Sequence, residues 1–325
     1  MLEVTDLVVE FVTPDGAVRA VDGLTYSVDA GQTLAIVGES GSGKSVSSLA
    51  VMGLLQMPPA RIPSGSIRFN GTDLLTLSRR QHRSYCGEHV GMVFQDALAA
   101  LNPVYTVGWQ LTEALRARHG LSHRKASARA IELLDMVKVP AARQRVTEYP
   151  HQFSGGMRQR VMIAMALAMD PEVLIADEPT TALDVTVQAQ IMQLLAEIQA
   201  ERQMALILIT HDLGVVATVA DDVTVMYAGR AVEQAPVLEV YGRPAHPYTR
   251  ALLRSIPRLD HKGGDLEVIP GRPPDLLAMP AGCPFHPRCE MAQDICRTGS
   301  PPPKVNLPDG QSAACHFAGE VLTDV

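Results

Sequence analysis

Eight consecutive residues, Gly38-Glu39-Ser40-Gly41-Ser42-Gly43-Lys44-Ser45, carry the most specific chemistry in the sequence. Three glycines free the backbone to curl, so that successive N–H groups face one point and suit the oxygens of a phosphate. Lys44 adds a cation for β- and γ-phosphates, and the Ser45 hydroxyl suits magnesium. The apolar run Leu34-Ala35-Ile36-Val37 just before the loop reads as a buried strand, and a helix is expected from near Ser45. That strand–loop–helix order is the context a phosphate-binding loop requires. A plain Gly-Ser-rich turn would explain the glycines but not Lys44-Ser45 at this spacing. Further along, Val173-Leu174-Ile175-Ala176 delivers Asp177 and Glu178 to a strand end. The first carboxylate can hold a metal shell and the second can activate water. Alone, the acidic pair reads equally as a solvated cap before Pro179, and it gains meaning from the loop upstream.

The elements that must position these groups follow from hydrophobic patterning. Leu34 to Val37, Val173 to Ala176 and Ala205 to Ile209 are short continuous apolar runs, as expected of buried parallel strands in one central sheet. Leu2, Val4, Leu7, Val9 and Phe11 suggest extended chain, and Ile67 and Phe69 alternate before an Asn70-Gly71 turn, so a small antiparallel β-layer is expected. Ala126, Ala130, Leu134 and Val137 recur at helical spacing, as do Leu111 and Leu115, and Leu98 to Pro150 reads as mainly helical. After about Gln234 the composition turns to Pro, Gly and Cys, with Pro301-Pro302-Pro303 excluding regular helix, so a separate loop-rich tail is expected. The fold class is α/β: a P-loop NTPase with a central mixed sheet, an antiparallel β-layer, a helical subdomain at about 98–165 and a Cys/Pro-rich tail. The domain division expected is 1–235 for nucleotide binding and 236–325 for the extension.

Composition narrows the function. The 325 residues carry 28 Lys and Arg against 35 Asp and Glu, and a net charge of -7 gives no basic surface for nucleic acid or anionic lipid. The longest apolar runs, near Val161 to Met169 and Ala205 to Ile209, fall short of the roughly 20 residues a spanning helix needs. The amino terminus has no basic segment leading into an apolar stretch, so it reads as the start of the fold and the expected compartment is the cytoplasm.

Phosphate loops serve many NTPases, and Phe153-Ser154-Gly155-Gly156-Met157-Arg158-Gln159-Arg160 is more selective. This octet resembles the signature of the ATP-binding cassette family, with Met157 where that family most often has glutamine. The glycine pair permits close backbone approach, and the apolar run from Val161 to Met169 would continue a helix whose amino end faces phosphate. Other elements occur in that family's order: Gln95 after Val90 to Phe94, Thr181-Ala182-Leu183-Asp184 after Glu178, and His211 after Ala205 to Thr210. Singly, each has an ordinary reading as a solvated Gln, a capping Asp or a structural His. The resemblance implies that Gln95 senses magnesium and water, that Asp184 links two sites across a dimer, and that His211 contacts the γ-phosphate. It further implies that ATP and magnesium are held by Gly38 to Ser45, Asp177 and Gln95, with Glu178 as the catalytic base. Ser154, Gly155 and Gly156 would serve the ATP of a second cassette, identical or homologous. The aromatic ring that stacks on adenine has no clear counterpart; Asp15-Gly16 occupies its usual place and Phe11 is the nearest candidate.

Within that family the chain is most similar to the oligopeptide and dipeptide importers, with nickel importers as near relatives. His246-Pro247-Tyr248 and Cys283-Pro284-Phe285-His286-Pro287-Arg288-Cys289 carry the narrower likeness, although the first reads by itself as a turn with Tyr248 covering a small core. The resemblance implies two transmembrane permease subunits, contacted through residues between Gln95 and Trp109. It also implies an extracytoplasmic binding protein as an indirect partner, and a peripheral place on the cytoplasmic face of the membrane. Soluble cassette ATPases acting on DNA or ribosomes are the alternative. They are disfavoured by the single phosphate loop, the acidic balance and the lack of a coiled-coil insertion. Four of the five cysteines, Cys283, Cys289, Cys296 and Cys315, lie in the tail. Four thiolates can ligate a [4Fe–4S] cluster or zinc. Lacking the short spacing of zinc ribbons, they are expected to hold the cluster ahead of zinc, with His286 and His316 as substitutes.

Overall fold

The computed structural model describes residues 1–181, 183–256 and 268–323, so Ala182 of the Thr181–Asp184 stretch lies outside the described residues. The chain forms two compact units: Met1–Val28, Thr33–Leu77 and Ile209–Val325 in the first, Asp29–Gln32 and Ser78–Leu208 in the second.

The first unit opens with β1 (Leu2–Thr13), β2 (Gly16–Val28), β3 (Thr33–Val37), α1 (Lys44–Val51), β4 (Ala60–Phe69) and β5 (Thr72–Asp73). Strands β2-β1-β4-β5 form the antiparallel layer expected from the sequence. Its inward residues Leu2, Val4, Leu7 and Val9 are almost fully buried, and each contributes roughly 1.5–3 kcal/mol by leaving water. Their spacing shifts phase between Val4 and Leu7. The register shifts at the same place, with Asp6 at φ 47°, so a bulge returns Leu7 to the inner face. Asn70 and Gly71 take φ 46° and 82°, the mirror-image turn that this dipeptide favours between β4 and β5.

The second unit holds α2 (Arg79–His89), β6 (Val90–Val93), α3 (Ala97–Ala100), α4 (Val107–His119), α5 (His123–Met136), α6 (Ala142–Arg145), α7 (Gly155–Ala166), β7 (Val173–Asp177) and α8 (Val185–Arg202). Strand β8 (Ala205–Thr210) carries the boundary between units. Strands β6 and β7 pair in parallel, Val90 opposite Val173 through Val93 opposite Ala176, and both are buried throughout, as continuous apolar runs require. Helix α5 starts where the Ser122 hydroxyl accepts from Lys125 N–H, and it buries Ala126, Ala130, Leu133 and Leu134 along one stripe. Helix α7 buries four consecutive residues, Val161 to Ala164. A helical turn that is apolar on all sides belongs in a core.

The first unit resumes with α9 (Leu213–Val219), β9 (Asp222–Tyr227), β10 (Arg230–Pro236), α10 (Val237–Gly242), α11 (Pro247–Arg254), β11 (Val305–Asn306), β12 (Ser312–Ala313) and α12 (Ala318–Thr323). Within this unit the strands run β11-β12-β10-β9-β3, with β3 and β9 parallel and the later pairs antiparallel. The tail is therefore not separate. It extends the sheet beyond β10 with β12 and then β11, adds three helices, α10 to α12, where loop was expected, and shares one core. Val223, Val225 and Tyr227 of β9 pack in the same cluster as Tyr248, Phe285, Cys283 and Cys296. Proline did not preclude α11 because Pro247 occupies its first position, where an N–H would have no helical partner anyway. None of the described helices is long and apolar enough to cross a membrane.

Candidate functional site

In the first unit the loop from Gly38 to Ser45 follows β3 directly and ends in α1, which begins at Lys44. Gly38 and Gly43 hold φ at 149° and 99°, and a Cβ would stand 2.2 Å from the Met226 carbonyl oxygen at the first and 2.3 Å from that of Ala20 at the second. No other residue type fits there without moving backbone. Gly41 differs: a Cβ would meet nothing within 4 Å, so the loop is open on that side. The Lys44 ammonium is buried and donates to the carbonyls of Gly38 at 2.7 Å and Glu39 at 2.9 Å. A cation held by the carbonyls of its own loop fits an anionic phosphate. His211 follows β8 and is exposed, next to Asp212, whose carboxylate caps α9 by accepting from Val215 N–H.

In the second unit β7 ends on buried Asp177, and Glu178 follows with φ 45°, in the left-handed region. That backbone costs a non-glycine residue about 1–2 kcal/mol and turns the carboxylate away from the strand line. Gln95 donates from Nε2 to Glu178 Oε2 at 2.9 Å, and the Thr181 hydroxyl donates to the same oxygen at 2.9 Å. The structure thus brings the sequence-predicted Gln95 and Glu178 together. Thr181 was noted in the sequence only as part of a stretch, and its hydrogen bond had no local signal.

Ser154 stands at the start of α7 and accepts from Met157 N–H at 3.4 Å, while Ser154 and Gly155 are exposed. Gly156 has an internal role as well: a Cβ there would lie 2.6 Å from Val187 Cγ1, so the glycine lets α8 pack against α7. Asp184 caps α8, its carboxylate accepting from Val187 N–H at 3.0 Å. Phe11 is partly exposed in β1, opposite Val18 and Ala60.

The tail cysteines depart from expectation. All five cysteines are free thiols, and among the described residues no group of three or more His, Cys, Asp or Glu side chains is placed to hold a metal ion. The predicted [4Fe–4S] cluster at Cys283, Cys289, Cys296 and Cys315, and the zinc alternative, are therefore not supported. Cys283 and Cys296 belong to the aromatic core with Phe285 and Tyr248, and Cys289 packs on it, while Cys315 packs on Ala245, Ala313 and Ala318. Burial pushes the thiols up, to about 11 for Cys289 and about 12 for Cys315. The substitute ligand His286 instead places Nδ1 2.9 Å from the Cys283 carbonyl oxygen.

His246-Pro247-Tyr248 does more than turn the chain. Buried Glu233 accepts from the N–H groups of Ala245 and His246, both at 2.9 Å, and His246 Nδ1 caps α11 by accepting from Tyr248 N–H. The Tyr248 hydroxyl accepts from Glu39 N–H at 2.9 Å, and Arg288 grips the Glu39 carboxylate. Neither Tyr248 nor Arg288 was read from the sequence as touching the phosphate loop. The signal for Arg288 was a charge inside an aromatic, cysteine-rich stretch.

Comparison with known proteins agrees with this geometry. The ABC transporter profile matches residues 21–181, and the oligopeptide/dipeptide transporter C-terminal region matches residues 232–296. The oligopeptide transport ATP-binding protein OppD of Salmonella typhimurium is 53% identical over 322 residues, 99% of this chain and 95% of that one. OppD of Bacillus subtilis is 51% identical over 303 residues, 93% and 85% of the two chains. Among solved structures, the dimeric post-hydrolysis ATP-binding cassette MJ0796 bound to ADP and Pi superposes with a TM-score of 0.66 at 26% identity, covering 73% of this chain and 99% of that one. The cassette cbiO1 of Clostridium perfringens, part of the transporter complex cbiONQ, gives 0.63 at 30% identity, covering 74% and 90%. With relatives this similar over nearly its whole length, the chain belongs to the ABC transporter family and is an ATP-hydrolysing subunit of that kind.

Proposed function

We propose that this chain hydrolyses ATP to drive a membrane importer of oligopeptides or dipeptides. Support for the substrate class comes from the named relatives and from the match of residues 232–296 to the oligopeptide/dipeptide transporter C-terminal region. Residues 1–235 would form the nucleotide-binding region and 236–325 the extension. The loop N–H groups and Lys44 hold the β- and γ-phosphates, and His211 contacts the γ-phosphate. Ser45, Asp177 and Gln95 are the residues that would hold magnesium, whose charge offsets that of the phosphate oxygens. Glu178 takes the proton of the attacking water. The single observation that carries the assignment is the carboxylate of Glu178, turned out of the strand by its backbone and held by Gln95 and Thr181. A base aimed by two hydrogen bonds is ready to orient water once Gln95 shares it.

By family resemblance, Ser154, Gly155 and Gly156 reach the ATP of a second cassette, and Asp184 links the two sites. Exposed Ser154 and Gly155 at the start of α7 suit such a contact. Docking to two permease subunits is assigned to residues between Gln95 and Trp109. There Leu98, Val104, Tyr105 and Trp109 are exposed, and the Tyr105 and Trp109 rings stack at 3.9 Å. Exposed apolar side chains grouped this way suit a protein partner. The chain would then sit on the cytoplasmic face of the membrane, with an extracytoplasmic binding protein delivering substrate.

The test is Glu178→Gln in the full chain. The amide keeps the shape and loses the base, so turnover should fall by roughly 10²–10⁴ while MgATP binding persists. Near wild-type hydrolysis by this variant would remove Glu178 from the reaction.

A further inference from the structure

Glu39, the second residue of the phosphate loop, is held at three points. Its carboxylate receives both terminal nitrogens of Arg288, Nη1 to Oε2 at 2.6 Å and Nη2 to Oε1 at 2.9 Å. Its N–H donates to the Tyr248 hydroxyl at 2.9 Å, and its carbonyl accepts from the Lys44 ammonium at 2.9 Å. Two of these three contacts come from the tail, Arg288 lying 249 positions and Tyr248 209 positions along the chain.

Arg288 is built into its place. Its side chain is 3% exposed, Nε donates to the Pro270 carbonyl at 2.9 Å, and Nη1 also reaches the Tyr227 hydroxyl at 3.4 Å. The guanidinium carbon lies 5.8 Å from the Tyr227 ring centroid and 5.9 Å from that of Phe285. A planar cation packed against an edge-to-face pair of aromatic rings, whose centroids are 5.3 Å apart, and forked onto a carboxylate allows its partner little freedom. The hydrogen bonds to Glu39 raise the Arg288 pKa further, so the cation is permanent. Without that cation, the Glu39 carboxylate would stand unpaired in a loop that must receive a polyanion.

From this geometry we infer that Arg288 and Tyr248 are positioning residues for nucleotide binding. Through Glu39 the tail fixes the first turn of the phosphate loop and neutralises a carboxylate that would otherwise repel phosphate. The inference rests on the reading of Gly38 to Ser45 as the nucleotide loop. It gives the tail a task in the ATPase cycle that needs no metal.

The test uses the full-length chain and MgADP as the titrant, with MgATP turnover measured in parallel. Loss of a charge-assisted bidentate pair should weaken MgADP binding by about tenfold in Arg288→Met. In the double variant Arg288→Met/Glu39→Gln, the stranded charge is gone, so affinity should recover to within about threefold of wild type. A merely structural role predicts no such recovery. KM for MgATP should follow the affinities while kcat is retained, because Glu178 is untouched. Tyr248→Phe keeps the buried ring and removes only the acceptor for Glu39 N–H. It should weaken MgADP by about threefold with an unchanged melting profile, and so provides a readout should Arg288→Met fail to fold. Wild-type binding with Arg288→Met and Tyr248→Phe both within twofold of it would overturn the inference alone, as would a double variant no better than Arg288→Met. Absence of MgADP binding by the wild-type chain would overturn the reading of the loop as well.

Discussion

Replacing His246 by Asn isolates one proton that the fold refuses. His246 is buried, its Nδ1 accepts from Tyr248 N–H at the start of α11, and burial pushes its pKa down from 6.5 to about 3. The unfolded chain takes up this proton near pH 6.5, whereas the folded chain excludes it until about pH 3. Stability from this group is therefore intact above 6.5 and is lost progressively as pH falls. Between pH 7 and pH 5 the loss is ~2 kcal/mol, set almost wholly by the unfolded value because the folded group stays neutral throughout. Asn also caps helices, so His246→Asn should keep an acceptor for Tyr248 while ceasing to titrate. It carries a fixed cost from lost packing on Phe285, whose ring centroid is 5.9 Å from the imidazole. The neighbouring acid is Glu233, whose pKa burial raises. Its contribution has the opposite sign, and it cancels when wild type and variant are compared at each pH. Urea unfolding followed by circular dichroism should show the wild-type advantage shrinking by ~2 kcal/mol from pH 7 to pH 5. A pH-independent difference would refute the argument, because His246 would then not be excluding a proton.

Lys44→Ala removes the buried ammonium from the loop and should weaken MgATP binding by roughly 10- to 100-fold, the range for a lost charged hydrogen-bond donor; isothermal titration of the full chain checks it, and unchanged affinity would count against the loop assignment. Gly156→Ala brings a Cβ to 2.6 Å from Val187 Cγ1. Overpacking of that kind costs about 1–3 kcal/mol, so its thermal midpoint should drop, and adding Val187→Ala should restore much of the loss if α7–α8 contact is the cause.

What was legible in the sequence was local. The eight-residue loop, the strand ending in Asp177 and Glu178, and the helix start at Ser154-Gly155-Gly156 each lie within a few residues of the pattern that announces them. Their backbones form as the patterns require: Lys44 opens α1, Asp177 closes β7 and Ser154 starts α7. The bulge at Asp6 was also legible in principle, because the inward set moves from Leu2 and Val4 to Leu7 and Val9 by one residue out of phase. The tail was misread because composition was weighed above position. Prolines suggested loop, yet Pro247 starts a helix, and the cysteines suggested ligands, yet they pack with Phe285, Tyr248 and small apolar residues.

The contacts that escaped sequence reasoning share one property, which is separation along the chain. No periodicity links Glu39 to Arg288, since neither residue is in an element whose repeat would point at the other. Burial supplies the missing link. An arginine that is 3% exposed in an aromatic core must have its charge answered, because an unpaired buried cation costs several kcal/mol. Among the described residues its carboxylate partner is Glu39. Once the fold buries Arg288, the pairing follows from electrostatics, and with it the attachment of the tail to the loop that receives phosphate.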